Sequence, residues 1–442
     1  MSASSKFDIL AVLLTMAAFS STALASNSNV GNQCAWNPSG PLGLLGQCRA
    51  AYNPTTASRA SNWGPWTQRP VCVGPKANRG PAYCAFVKED FRGEAGLLVL
   101  TSPEIAAGDD SFVEDFDPRW TGDTGRRPRP AASDAPPFEV REIPGKGLGA
   151  VATAAIRAGD VVLREHPALL QLAEPAEALD RTQAIWVLEE GFVRLPRRDQ
   201  QRIFDLSRST GGHVLEDIVR TNTFGATFND VAHFGLFPRV AVGGKGGAAP
   251  VAALSIPAES VVAPQDRDWS AITRYSPRTL ELEVVAYKNI QPGEEVSISY
   301  SMLNMLSDDR KRTLQEWGFN CTCALCGSPA ADIAASDARR ARLQQILARL
   351  TDETATGPSS AAAIGELTAE MDGVVEREGL AAQAGEFYGM VARAYARAGE
   401  AGAGARYARM AVEGMERFAG YDDERTAAAR GLLGELGKVG GA

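Results

Sequence analysis

No cysteine lies between Cys84 and Cys321, and the 442-residue chain has only three histidines, His166, His213 and His233. A metal site drawing on the middle of the chain therefore has nothing but those imidazoles to recruit as nitrogen or sulfur ligands. Positive charge is also short: 45 Lys and Arg stand against 53 Asp and Glu, a net charge of −8. That balance gives no overall attraction to nucleic acid or anionic lipid, so neither is an expected partner. After the first 25 residues no apolar run is long enough to span a bilayer. What remains is ordinary globular composition, 45% apolar and 22% charged, in a chain long enough for two to four packed units.

The N-terminus reads as a secretory signal over residues 1–25. Lys6 precedes the apolar run at 9–19, and the small-x-small triplet Ala23, Leu24, Ala25 suits cleavage. An uncleaved anchor or a misassigned start is the alternative. Cys34, Cys48, Cys72 and Cys84, set among Trp36, Trp63, Trp66, glycines and prolines, predict a small module over 26–100 closed by two disulfides in one of three connectivities. Four unpaired thiols are the other reading. Both the leader and the paired cysteines point to the secretory pathway. Residues 101–136, rich in Asp, Gly, Arg and Pro, read as a linker.

From Pro137 the pattern alternates apolar and polar residues around "GKGLGA" and "RAGD", predicting short strands and tight turns. Residues 178–220 switch to helical spacing, with Ile185, Leu188 and Phe192 on one face and Pro196 suited to a helix start. Strand patterning returns in "TLELEVVAYKNI" and "EVSISY", and a charged helix beginning at Ser307 follows. Residues 241–268 are rich in Gly, Ala and Pro and keep no period, which is unusual inside a compact domain. From 330 onward the chain is Ala-rich and helical. Tyr388, Val391, Tyr395, Ala408 and Ala411 are spaced to pack two helices into a hairpin, either of tetratricopeptide type or as a plain cap on the preceding domain. The expected fold class is α+β: a β-rich domain with inserted helices, a small cysteine turn, an all-α C-terminal extension and the N-terminal disulfide module.

Cys321, Cys323 and Cys326 are too closely spaced to pair without strain. Three thiolates on one short turn suit zinc, which wants a fourth ligand in a closed tetrahedral site. Free thiols or one strained disulfide are the alternatives, and His233 is a possible fourth ligand or simply a packed side chain.

"GKGLGA" after a strand, then "TNTF", "GEEVSISY" and "DDRKRTLQEWGFNCTCALC" occur in the order of SET-domain protein methyltransferases. Residues 137–327 resemble that family, most of all the SET-and-MYND enzymes and fungal SET proteins, with the post-SET cysteine cluster present and no MYND finger. The resemblance implies transfer of a methyl group from S-adenosylmethionine to a protein lysine. It implies cofactor contacts from Lys146, Gly147, Leu148, Gly149, Asn222 and Phe319, an active-site tyrosine at Tyr300, and a zinc ion on Cys321, Cys323 and Cys326. Such a reaction is an in-line displacement that needs alignment and a deprotonated amine rather than a nucleophilic side chain.

The family pattern also breaks. After "GLFP" an Asn-His-x-Cys motif is expected to supply two cofactor contacts and the fourth zinc ligand, but "HFGLFPRVA" runs straight into 241–268. Two explanations fit: an error in the gene model, or genuine decay into a scaffold that binds partners without catalysis. The secretory signal conflicts with the nuclear or cytoplasmic location that the resemblance implies. The sequon Asn320-Cys321-Thr322 lies inside the expected zinc turn, where glycan and metal exclude one another.

Overall fold

A computed structural model describes residues 64–74, 81–93, 95–108, 136–143, 147–175, 179–208, 211–241, 269–298, 304–316, 325–354 and 360–439. The fold is mixed α+β with a C-terminal helical region. Its largest sheet has six strands in the order β1-β2-β3-β7-β9-β8. These are β1 Val71–Val73, β2 Tyr83–Phe91, β3 Ala95–Thr101, β7 Leu169–Leu172, β9 Val231–Leu236 and β8 Thr223–Phe228.

β3 pairs with β7 in parallel, Val99 opposite Leu170. β1, β2 and β3, the described strands of the expected module 26–100, thus belong to the main sheet. The unbroken apolar run "YCAFV" sends apolar side chains to both faces of β2, and both are buried. Tyr83, Ala85 and Val87 join Leu98 and Leu100 beneath the inserted helices, while Cys84 and Phe86 join Leu97, Val99 and Trp66 on the other side. Among the described residues one disulfide, Cys72–Cys84, links β1 to β2 at directly opposed positions. Cys34, Cys48, Trp36 and Trp63 lie outside the described residues, as does the signal segment 1–25.

One face of the sheet is covered by α2 Arg181–Phe192, α3 Arg197–Phe204 and α4 Val214–Asn222; the short α1 Pro103–Ala106 precedes them in the chain. α2 and α3 fall within 178–220, as the apolar spacing predicts, and α4 begins there and runs two residues past it. Asp180 accepts from the Thr182 amide at the start of α2, and Pro196 stands at the N-cap position of α3 without a side-chain hydrogen bond. α2 sits close on the sheet because Gly191 has no side chain: a Cβ there would meet Leu98 Cδ1 at 2.4 Å.

A second group of strands carries the expected site. β10 Ala271–Ser276, β11 Glu281–Ala286 and β6 Val161–Glu165 form a three-stranded sheet, and β4 Phe138–Ile143 pairs with β5 Gly147–Ala152. Phe138, Ala150, Leu163, Phe237, Val240, Val284 and Ile298 share their core. The predicted strand "EVSISY" appears as single bridges, Glu295 to Val151 and Ile298 to Ala271, in its described part.

The helical region comprises α6 Ala330–Thr351, α7 Ala361–Glu378, α8 Ala381–Arg397, α9 Ala401–Phe418 and α10 Glu424–Val439, preceded by α5 Ser307–Glu316. The predicted hairpin is α8 with α9, in which Val391, Ala408 and Ala411 are fully buried. Ser307 commits its hydroxyl to Asp337 of α6 at 2.5 Å, tying α5 to the helical region instead of capping its own helix. Glu378 is buried at the end of α7, where Ser336, Arg339 and Arg340 converge on its carboxylate. Burial alone would raise its pKa, but these partners hold it below the usual carboxylate value.

The helical region docks on β10 and β11. Glu283 lies directly between Arg274 and Arg164 across three strands, accepting from each guanidinium at 2.6 Å. Arg274 also donates to the carbonyls of Glu416 and Arg417 in the last turn of α9, where the helix dipole favours a cation. Ser276 donates to Asp422, and Tyr287 bridges Gly379 and Ala381 at the α7–α8 turn.

Candidate functional site

The glycine hairpin β4–β5 stands against the segment leading toward Tyr300. Val296 N donates to Ala150 O at 2.8 Å, Ala152 N to Glu294 O at 2.8 Å, and Gly293 N to Ala152 O at 2.8 Å. On its other side this segment meets the start of β10, where the Ser270 and Ala271 amides both donate to Ser297 O at 2.9 Å. Phe237 and Val240, at the exit of β9, enter the same core. Three stretches far apart in sequence, 147–152, 237–241 and 294–298, thus converge around one cluster.

Of the residues the sequence singles out, Gly147 and Leu148 lie on β5, with Gly149 beside Ile143. A Cβ at Gly149 would approach Ile143 Cδ1 to 2.1 Å, so the glycine is required by packing inside the hairpin. Asn222 ends α4, next to Thr223, which pairs with Leu236. Its amide nitrogen donates to Ser207 O at 2.8 Å and Ile218 O at 2.7 Å, closing the helix. Gly149 and Asn222 are thus each held by contacts internal to the fold. Lys146, Tyr300, Phe319, Cys321 and Cys323 lie outside the described residues.

Cys326 is half-buried, and Arg310, itself buried, directs Nε at its sulfur over 3.5 Å. A cation at that position favours the thiolate, the form a metal would need. Among the described residues no group of three metal-ligating side chains comes together. His233 is packed: Nδ1 meets the Val231 carbonyl at 2.9 Å and Nε2 meets Thr101 Oγ1 at 3.2 Å, while burial lowers its pKa. Those contacts occupy both ring nitrogens, so His233 does not stand ready as the fourth zinc ligand.

Glu165 escapes a motif-based reading. It ends β6 and accepts the Arg239 and Val240 amides at 2.8 and 2.9 Å, holding the chain just before residues 242–268. The period-2 pattern of Val161, Leu163 and Glu165 gives the only hint, since it puts a carboxylate on an apolar face. Burial pushes its pKa from 4.5 to about 7, against the opposing pull of the Arg239 and Val240 amides and the Arg239 and Arg202 charges. The folded state therefore binds more protons than the unfolded chain between those values, and its contribution to stability is lost as pH rises through about 7. Chemical unfolding is expected to show roughly 2–4 kcal/mol less stability at pH 8 than at pH 4.5 from this group, with Glu165→Gln flattening the slope. An unchanged slope in the variant would assign the pH dependence elsewhere.

A comparison with models of known protein families matches none of them.

Proposed function

We propose that residues 137–327 form a SET-type domain whose activity is methyl transfer from S-adenosylmethionine to a protein lysine. The observation that carries this reading is the pairing of the glycine hairpin β5 with 294–298, the segment that leads into Tyr300. It puts two separate blocks of the family-like sequence side by side. Supporting it, Arg310 beside Cys326 provides the electrostatics for one thiolate of the cysteine turn. Three cysteines supply three of the four ligands a closed zinc site wants, so the metal, if bound, takes its fourth from elsewhere.

A second reading is a SET scaffold that has lost catalysis and serves in protein contacts, favoured by the absence of the Asn-His-x-Cys motif after Ala241. Calorimetric titration of the whole chain with S-adenosylmethionine separates the two. Saturable heat with Kd in the micromolar to millimolar range ordinary for enzyme ligands supports the transferase. A folded protein that releases none at millimolar cofactor, and moves no labelled methyl group onto lysine-rich protein, leaves the scaffold.

A further inference from the structure

His166 joins β6 to β7 and is the meeting point of two turns. Arg92, in the turn between β2 and β3, donates Nη1 to its Nε2 at 3.1 Å, and the same Nη1 donates to the Thr279 carbonyl in the turn between β10 and β11. Glu281, at the start of β11, holds a carboxylate oxygen 3.6 Å from that same Nε2. The side chains of His166 and Glu281 are 8% and 7% exposed, and the Phe91 ring stands edge-on to the imidazole at 5.4 Å. One ring nitrogen thus faces a donor and an acceptor, and it can serve only one of them at a time.

A guanidinium keeps its charge and only donates, so the 3.1 Å contact requires an unprotonated Nε2. The charges of Arg92 and Glu281 then balance. A proton on Nε2 reverses the arrangement: the N–H donates to Glu281, and two cations are left face to face in a largely dry site. Arg92 is the member that can leave, because it is half-buried in a turn, whereas Glu281 lies within a strand and His166 directly follows one. Arg92 and Leu280 both hold positive φ, 55° and 53°, which residues other than glycine adopt at a cost, so both turns relax once the contact between them is gone. The other charged or titratable neighbours among the described residues are engaged elsewhere. Arg164 pairs with Glu283, Glu165 accepts the Arg239 and Val240 amides, and Asp422 accepts from Ser276 and the Arg278 amide. Tyr275 donates to Thr227 O and is kept un-ionised by burial.

We propose that His166 is a proton-operated clasp between the two sheets. Neutral, it lets Arg92 tie the β2–β3 turn to the β10–β11 turn; protonated, it takes Glu281 and releases both Arg92 and the Thr279 carbonyl. Ser276 keeps its bond to Asp422, so on acidification the β10–β11 turn stays with the helical region and loosens from the six-stranded sheet. Nothing in this clasp depends on methyl transfer.

The test combines nitrogen-15 spectra of the histidine-labelled full chain with amide hydrogen exchange, at roughly pH 5.5 and 7.5, a span within which imidazoles ordinarily titrate. At the higher value His166 is expected as the tautomer protonated on Nδ1, and at the lower as the doubly protonated ring. Exchange in the two turns, 91–93 and 277–280, corrected for intrinsic rates, is expected to speed up about tenfold on acidification, while α8 and α9 keep their protection. His166→Gln, whose amide takes up no proton, should lose this response, and Arg92→Ala should leave the β10–β11 turn equally loose at both values. The sign separates the effect from that of Glu165, which stabilises the fold toward acid. The proposal is overturned if the neutral ring carries its proton on Nε2, if the turns exchange equally at both values, or if the response survives in His166→Gln. A surviving response in Arg92→Ala overturns it as well, and that change in a half-buried turn residue keeps the test open should His166→Gln fail to fold.

Discussion

Replacing Glu283 with alanine is expected to lower the unfolding free energy by about 3–5 kcal/mol, because it strands two guanidiniums in a largely dry seam. The Glu283 side chain is 2% exposed, and those of Arg164 and Arg274 are 14% and 13% exposed. Removing the carboxylate leaves their charges opposed with nothing between them. Arg274 also carries the last carbonyls of α9, so its displacement loosens the helical region from the sheet. Urea unfolding followed by tryptophan fluorescence and far-ultraviolet dichroism checks both points. The two probes should coincide in the parent and separate in the variant, the signature of two units that no longer unfold together. Glu283→Gln keeps an acceptor and should cost less. A loss under about 1 kcal/mol in the alanine variant would mean that water or a neighbouring group replaces the carboxylate, and the strut would have no role.

Gly385→Ala should be nearly as damaging despite the gain in helix propensity. α8 and α9 cross where Gly385 faces Gly414, and a Cβ on Gly385 would lie 2.7 Å from Met415 N and 2.9 Å from Gly414 C. Backbone cannot rotate aside as a side chain would, so the helices must separate and reopen the contacts of Val391, Ala408 and Ala411. The expected cost is about 2–3 kcal/mol net of the roughly 1 kcal/mol that alanine gains over glycine in a helix. Gly373→Ala on α7, where a Cβ meets nothing within 4 Å, isolates the propensity term and should stabilise by about 0.5–1 kcal/mol. Thermal melts of the two variants should shift in opposite directions. A shift of the same sign in both would show that the crossing relaxes.

The regular elements were legible because periodicity is local. Ile185, Leu188 and Phe192 announced α2, and the spacing of Tyr388 to Ala411 announced the hairpin of α8 and α9. The membership of β1, β2 and β3 in the main sheet was not legible. A parallel pairing such as β3 with β7 joins strands almost seventy residues apart, and nothing in either strand's pattern names the other. Composition at 101–136 suggested a boundary, and the chain crosses that stretch to return to the same sheet.

The candidate site divides along the same line. Sequence alone marked Gly147, Gly149, Asn222 and Cys326 as unusual residue types in an ordered series of motifs. It also showed that the series breaks after Ala241. Tertiary structure decided what the described ones touch: Gly149 is small because Ile143 lies over it, Asn222 closes α4, and Cys326 has a guanidinium beside it. Glu165, Glu283 and the exposed apolar side chains of the inserted helices emerged only from the fold. A carboxylate in a strand looks the same in sequence whether it faces water or two arginines, and an exposed Trp186 looks the same as a core one. Local pattern fixes which elements form; only the packing of distant segments sets each side chain's dielectric surroundings and partners, and those determine its chemistry.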